Sequence, residues 1–464
     1  MTLTIEQKFC KVAETHPERT AIADGETTLT YGQTVKAADL VCQKLTQIGL
    51  KKNEPVVVLV SNIAADIASF LGVWKAYGVV VPIHHSAPKI ARAALMARIK
   101  NRFVVKDKVE VVSKDPPPLR PLLEGAGTII FTSGSTGDPK GVVLSSLKAS
   151  QKLEMIQSMT NWGKGENALI GLQLTFSFGQ WATWLTLLNG GCVHLRGRFD
   201  GGKFKSLLET GTIQRFPVVP TMLRHLLQLG GMPHFKGQIM AGGEPLPAAL
   251  GRQILKAYPQ AGLWDIYGLT ETGTSDFFVL SHEYNLLAGT IGRSGTEVEW
   301  RLNPQSQELE IRSPWGMLGY LDMPETTNTA LQDGWFKTGD LAAEEEAGAL
   351  RLIGRKKDLI VRSGNKISPL EVESVFLRHK EVETALVTGA LDTDRGETIH
   401  LAIVLRKESQ ISSNDLKVWA SEYLERYKLP DKIYFVKQLP IGNTGKVDRK
   451  ALRRSIELDI HIVN

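Results

Sequence analysis

The residues best equipped for chemistry lie between Thr128 and Gly141, in the string TIIFTSGSTGDPKG. Thr128, Ile129, Ile130 and Phe131 are β-branched or aromatic and predict a strand that breaks directly into Gly, Ser and Thr. Gly134 and Gly137 allow a sharp turn whose backbone N–H groups can face an anion. Thr132, Ser133, Ser135 and Thr136 add hydroxyl donors, and Lys140 adds a point charge. That inventory suits a polyphosphate. A Walker A loop needs Lys directly after its second Gly, then Ser or Thr. Asp138 and Pro139 intervene here, so this phosphate loop is of another kind.

Four further strings follow in order: DIYGLTETG (Asp265 to Gly273), DGWFKTGD (Asp333 to Asp340), GRKKD (Gly354 to Asp358) and NTGKVDR (Asn443 to Arg449). Together with the glycine–hydroxyl loop they resemble the acyl-adenylate-forming superfamily. That superfamily comprises acyl- and aryl-CoA synthetases, peptide-synthetase adenylation domains and firefly-type luciferases. The resemblance covers most of the chain. It implies ATP and Mg²⁺, a small carboxylic acid substrate, and an acceptor thiol on CoA or on the phosphopantetheine of an acyl or aryl carrier protein.

Each residue has a part in that reading. Tyr267 offers a face for a base, Gly268 a close backbone approach, Thr270 a donor to the α-phosphate, and Glu271 a carboxylate for Mg²⁺, which takes one or two. By resemblance, the turn at Gly243, Glu244 and Pro245 lies against adenine. Asp340 is placed to accept from two ribose hydroxyls, and by resemblance Arg355 joins it there. Lys357 occupies the family's hinge position, Gly364 belongs to the thiol tunnel and Lys366 meets phosphate. Lys446, on a Gly-rich loop near the C-terminus, can deliver a charge to a site on another domain.

Phe176 and Phe178 fall where the family has an aromatic motif lining the acyl pocket. Amino-acid-activating members carry a carboxylate at the position of Gly179, so its absence points to an acid without an α-amino group. Trp181 and Trp184 suit either the pocket or a helix core. The reading is ATP-dependent activation of an acyl or aryl acid, then thioester formation. A non-thiol acceptor (amide-forming or luciferase-like) and a non-catalytic acyl-nucleotide binder are the alternatives.

These residues need a scaffold. Pro55 to Val60 is a continuous apolar run and predicts a buried strand, Ile63 to Tyr77 a helix, and Val79 to Pro82 the next strand. Strand–helix alternation predicts an α/β sheet. His84 and His85 follow, one expected buried and one solvated. Ser86 to Gly127 reads as a trimmed surface region short on helices. Val298 to Leu302 and Glu308 to Ile311 predict a small antiparallel barrel or sheet. Ser368, Pro369 and Glu371 form a helix start, and Asn414 to Tyr427 a helix with Leu416, Trp419, Tyr423 and Tyr427 on one face. The expected architecture is a large N-terminal α/β domain with a small β-barrel, residues 1–354, and a mobile α+β domain, residues 355–464.

At 464 residues the chain exceeds one comfortable core. Its 42% hydrophobic and 22% charged residues are those of a globular protein. Net charge is +6, and from Arg355 onward 20 Lys and Arg face 16 Asp and Glu, an excess that favours polyanions. No dense basic run interleaved with aromatics supports nucleic-acid binding, and no apolar run reaches membrane-span length. Cys10, Cys42 and Cys192 are far apart, with no metal-ligand spacing, and read as reduced, buried thiols of a cytoplasmic protein.

Overall fold

Pro55–Val60 carries no polar side chain because both its faces are covered. Val56, Val58 and Val60 join one core with Phe70 and Trp184, while Val57 joins another with Val79, Val81 and Ile129. Two-sided burial is the mark of a parallel strand inside an α/β layer. The structure, a computed structural model, describes residues 2–132, 139–232, 234–406, 409–442 and 447–458. Ser133, Gly134, Ser135, Thr136, Gly137 and Lys446 therefore lie outside the described residues.

In the sheet built on Pro55–Val60, the parallel strands are Ala126–Thr132, Val79–His84, Pro55–Val60 and Phe103–Val105. Lys140–Ser145 runs antiparallel to Ala126–Thr132, with Thr132 opposite Lys140. The glycine–hydroxyl string thus joins the arms of a hairpin, whereas a Walker A loop leads from a strand into a helix. A nine-stranded sheet faces the first, with a parallel middle that includes Arg215–Val218, Gln238–Gly242 and Gly262–Tyr267. One core draws Val58 and Val80 from the first sheet and Ile170, Val193 and Met240 from the second. The helix Ser177–Leu188 contributes to that core, where Trp181 and Trp184 are 3% and 2% exposed. Both tryptophans are core residues.

The expected small antiparallel sheet consists of Glu299–Leu302, Glu308–Arg312 and Trp335–Glu344, with Leu331–Gln332 and Leu350–Arg355 both paired to the last of these. A short turn, Lys356–Asp358, leads to the smaller C-terminal domain. That domain has its own sheet, containing Ile360–Arg362, Gly396–Leu405 and Val382–Asp392, and its own core around Ile360, Phe376, Leu401 and Leu416. Ser368 caps its first helix by accepting from the Glu371 N–H at 3.4 Å, with Pro369 in the first helical position.

Three local expectations fail. Ser86 to Gly127 contains the helix Lys89–Ile99, and Phe103–Val105 and Val109–Val111 extend the first sheet; the proline tract drew attention away from an ordinary strand–helix–strand. The helix expected to Tyr427 spans Ser413–Ala420. Tyr423 and Tyr427 lie past its end and are exposed. Among the cysteines only Cys192 is buried, although all three are free. Among the described residues no helix is long and apolar enough to cross a membrane.

One polar contact sits inside the main core. Lys152 Nζ lies 2.8 Å from Asp276 Oδ1, with the two side chains 2% and 0% exposed, and the ammonium stands 5.0 Å from the centre of the Trp315 ring. The Thr272 hydroxyl also donates to Asp276. Burial pushes the Lys152 pKa down and the Asp276 pKa up, each toward its neutral form. Lys152→Met, which leaves the carboxylate buried without its cation, is expected to destabilise the large domain by about 3–5 kcal/mol, measured as a lower denaturant midpoint.

Candidate functional site

In open α/β sheets ligands sit beyond the carboxyl ends of the parallel strands. Thr132, Gly242 and Tyr267 each end such a strand. Over this edge the third sheet brings Asp340, which is 3% exposed. Its Oδ1 accepts from Arg355 Nε at 2.5 Å, and its Oδ2 accepts from the Tyr267 hydroxyl at 2.8 Å and Arg355 Nη2 at 3.2 Å. Arg355 reaches Asp340 because the two are register partners across adjacent strands. In place of the expected turn, the strand Trp335–Glu344 shifts register before Asp340, where Gly339 takes φ +73°, and the Gly339 N–H donates to Glu308 Oε1 at 3.0 Å. Burial, then the neighbouring Asp340 carboxylate, pushes the Tyr267 pKa well above its usual value. Oδ1, which accepts a single bond, keeps a second lone pair, so Asp340 retains acceptor capacity there.

Glu271 stands on the short turn Thr270–Thr272 that follows Tyr267 and Gly268. Its Oε1 accepts from the Tyr320 hydroxyl at 3.1 Å. Lys140 Nζ lies 5.0 Å from the centre of the Tyr320 ring. Burial raises the Glu271 pKa, and a backbone N–H, Tyr320, Lys140 and Arg355 pull it back. Thr270 Oγ1 is 3.2 Å from Ser177 Oγ, which joins this turn to the aromatic string. Gly268 is crowded by its own loop: a Cβ there would lie 2.1 Å from the Ser275 nitrogen. Tyr320 and Ser177 were missed in the sequence. Tyr320 lies on a two-residue strand, Gly319–Tyr320, that no local pattern announces.

Phe176 and Phe178 are half-buried at the start of Ser177–Leu188. The Phe178 ring stacks on Trp181 with centroids 5.3 Å apart, and a Cβ added to Gly242 would come within 3.0 Å of it. At Gly179 an added Cβ would meet the Gln173 carbonyl oxygen at 2.5 Å. That glycine answers to backbone crowding, so its missing carboxylate by itself says nothing about the substrate. Beneath Ser177 lies a cavity of about 60 Å³ whose lining includes Trp74, Lys152, Leu153, Trp181 and Trp184, and no carboxylate. His84 is half-buried with Nδ1 2.6 Å from Ser86 Oγ, and His85 is exposed. Neither joins the groups above.

Gly243 takes φ +82° in the turn that leads through Glu244 and Pro245 to the helix Ala248–Ala257. Glu244 Oε1 accepts from the Val447 N–H at 3.0 Å, so the residue after Lys446 is docked on this turn. Arg449 anchors the tail helix Arg449–Glu457 by donating to Glu373 and the Val387 carbonyl. The Lys357 pKa is lowered, first by partial burial and then by the Arg355 and Lys450 cations. Lys366 is exposed beside Gly364 on the hairpin of the small domain, apart from the Glu271 and Asp340 groups.

The AMP-binding enzyme family model matches residues 9–321, and that of the AMP-binding enzyme C-terminal domain matches residues 371–446. The 2-succinylbenzoate–CoA ligase of Geobacillus kaustophilus is 28% identical over 475 residues, which cover 95% of this chain and 96% of that protein. A feruloyl-CoA synthase from Amycolatopsis is 27% identical, covering 95% and 97%. Among solved structures, the o-succinylbenzoate CoA synthetase of Bacillus subtilis with its acyl-adenylate intermediate has a TM-score of 0.84 at 23% identity, covering 98% of each chain. An amide bond synthetase from Marinactinospora thermotolerans has a TM-score of 0.86 at 23% identity, covering 97% of this chain and 99% of that one. At such identities these structures establish the fold.

The raised pKa of Glu271 has a consequence for stability. The folded chain holds this proton more tightly than the unfolded chain, so stability falls as pH rises past the ordinary carboxylate range and stays lower above it. Glu271→Gln is therefore expected to raise the melting temperature of the ligand-free protein at pH 7. The difference vanishes below about pH 4, where the wild-type carboxyl is protonated in both states. Calorimetry at the two pH values checks this.

Proposed function

The chain belongs to the AMP-binding enzyme family, and on that premise we propose that it activates a carboxylic acid with ATP and passes the acyl group to a thiol. The observation that carries this reading is the convergence of Glu271, Asp340, Lys140 and Arg355 around the strand ends at Thr132, Gly242 and Tyr267.

A carboxylate is a poor acyl donor because oxide does not leave. In the proposed reaction a carboxylate oxygen bonds to the α-phosphorus of ATP. The bond from that phosphorus to the bridging oxygen breaks, and pyrophosphate departs with the electron pair. Two anions must meet, so the protein's task is positioning and neutralisation of charge. Asp340, steadied by Arg355 and the Tyr267 hydroxyl, receives the ribose hydroxyls. The Tyr267 ring and the bare backbone at Gly242 and Gly243 take the base. Thr132 and Lys140 flank the phosphates, with Ser133, Gly134, Ser135, Thr136 and Gly137 between them in sequence, and Thr270 donates to the α-phosphate.

The donor set fits Mg²⁺. Among the described residues no group of three or more His, Cys, Asp or Glu is placed to hold a metal. Glu271 supplies the single carboxylate that such an ion accepts alongside phosphate oxygens and water. When bound, the ion adds positive charge against the phosphates.

For the acid, the cavity under Ser177 favours an apolar acyl group. An α-ammonium would find no carboxylate in its lining and would be costly to bury. At about 60 Å³ it is smaller than the roughly 150 Å³ engineered cavity that accepts benzene. A short acyl group enters as the walls stand, whereas an aryl acid needs lining residues such as Trp181 to move. The acceptor is CoA, as the names of the curated relatives suggest, with a carrier-protein phosphopantetheine as the other thiol to try. Between the two steps the small domain, residues 355–464, turns about Lys357. That motion withdraws Lys446 and brings Gly364 and Lys366 toward the thiol's path.

Exchange of labelled pyrophosphate into ATP, run over a panel of acids, is expected to be positive for an acyl or aryl acid and negative for α-amino acids. No exchange with any acid sinks the reading. Adding CoA, carrier protein or an amine then identifies the acceptor. Lys446→Ala is expected to abolish exchange while largely sparing thioester formation from supplied acyl-AMP; equal loss of both steps removes Lys446 from the first.

A further inference from the structure

The seam between the domains carries two hydrogen bonds to carboxylates, one carboxylate from each side. The helix Pro220–Gln228 of the large domain bears Arg224 and, one turn on, Gln228. Arg224 is half-buried. Burial lowers its pKa, while Glu244 of the glycine turn and Glu383 of Val382–Asp392 in the small domain both oppose that shift. Gln228 Nε2 donates to Glu383 Oε1 at 3.1 Å. Glu244 Oε1 accepts the Val447 N–H at 3.0 Å, and its Oε2 accepts from the Thr221 hydroxyl at 3.4 Å.

We propose that the Val447–Glu244 and Gln228–Glu383 contacts form a clasp that holds the small domain in the orientation used for acyl-adenylate formation, which makes Glu244 a positioning residue for that step. The proposal rests on the reading above and adds to it what sets the orientation of the small domain. Val447 directly follows Lys446, so fixing its N–H fixes the peptide bond at which the lysine's backbone ends. Hydrogen bonds to a charged acceptor are roughly twice as strong as neutral ones, which suits a single contact that has to hold a loop.

The clasp is also built to release. When the small domain turns away, these two hydrogen bonds break and Glu244 keeps the Thr221 hydroxyl on its own domain. The Val447 N–H and the Glu383 carboxylate pass into water. Stranding a buried charge would make the turn prohibitive.

The test uses the full chain and the two half-reactions separately. Glu383→Ala, which touches no substrate, is expected to slow pyrophosphate exchange about tenfold while thioester formation from supplied acyl-AMP stays within about twofold of wild type. Glu244→Ala is expected to slow exchange at least as much, and Glu244→Gln less, because its amide oxygen can still accept from Val447. Equal loss of both half-reactions in Glu383→Ala, or unchanged exchange, overturns the clasp. A ligand-free readout keeps this separate from the proposed activity. Trypsin is expected to cut the Lys356–Lys357 turn faster in Glu383→Ala than in wild type. An unchanged cutting rate overturns the clasp even if the wild type exchanges no pyrophosphate.

Discussion

Two carboxylates, Glu271 and Asp340, are held close to the strand ends where we propose that phosphates bind, and their neighbours make that tolerable. Anions beside anions repel, and burial worsens the cost. Asp340 is answered by Arg355 and the Tyr267 hydroxyl, and Glu271 by the Tyr320 hydroxyl with Lys140 beyond it. The compensation differs between the two. Asp340 is bonded through both oxygens, whereas burial still pushes the Glu271 pKa upward. A buried carboxylate short of positive charge is the one that gains most from a cation.

The two main sheets meet on a shared core with Trp181 and Trp184 inside it, which keeps the three strand ends in fixed relation. The small domain has a separate core that starts at Ile360. Its contacts with the large domain described above are hydrogen bonds, from Val447 to Glu244 and from Gln228 to Glu383. Polar contacts are exchanged for water at little net cost, whereas a merged apolar core would resist separation. The turn that we propose for the small domain therefore breaks polar contacts and leaves each apolar core whole.

Much of the site is legible in the sequence because its chemistry is local. Asp340 lies in one short string and Tyr267, Thr270 and Glu271 share another, so these strings, through their family resemblance, mark the residues as candidates. The strand at Pro55–Val60 is legible because two-sided burial leaves an unbroken apolar run. The helix Lys89–Ile99 is not, since only Ile99 in it is buried, and with so weak a burial pattern the nearby prolines dominate the reading. Gly179 shows the opposite error. A missing side chain can record a missing contact or a lack of room, and only the 2.5 Å approach to the Gln173 carbonyl separates the two.

By itself the sequence determined the order of the strands and turns, the phosphate-suited string, and which residue types could meet a nucleotide, because backbone preference and hydrogen-bonding capacity belong to each residue. The tertiary structure decided the pairings. That Tyr320 answers Glu271, that Lys152 is paired with Asp276 inside the core, and that Val447 rests on Glu244 depend on segments 49, 124 and 203 residues apart. The strength of each such contact falls steeply with distance and exposure, and distance and exposure are set only once the sheets have packed.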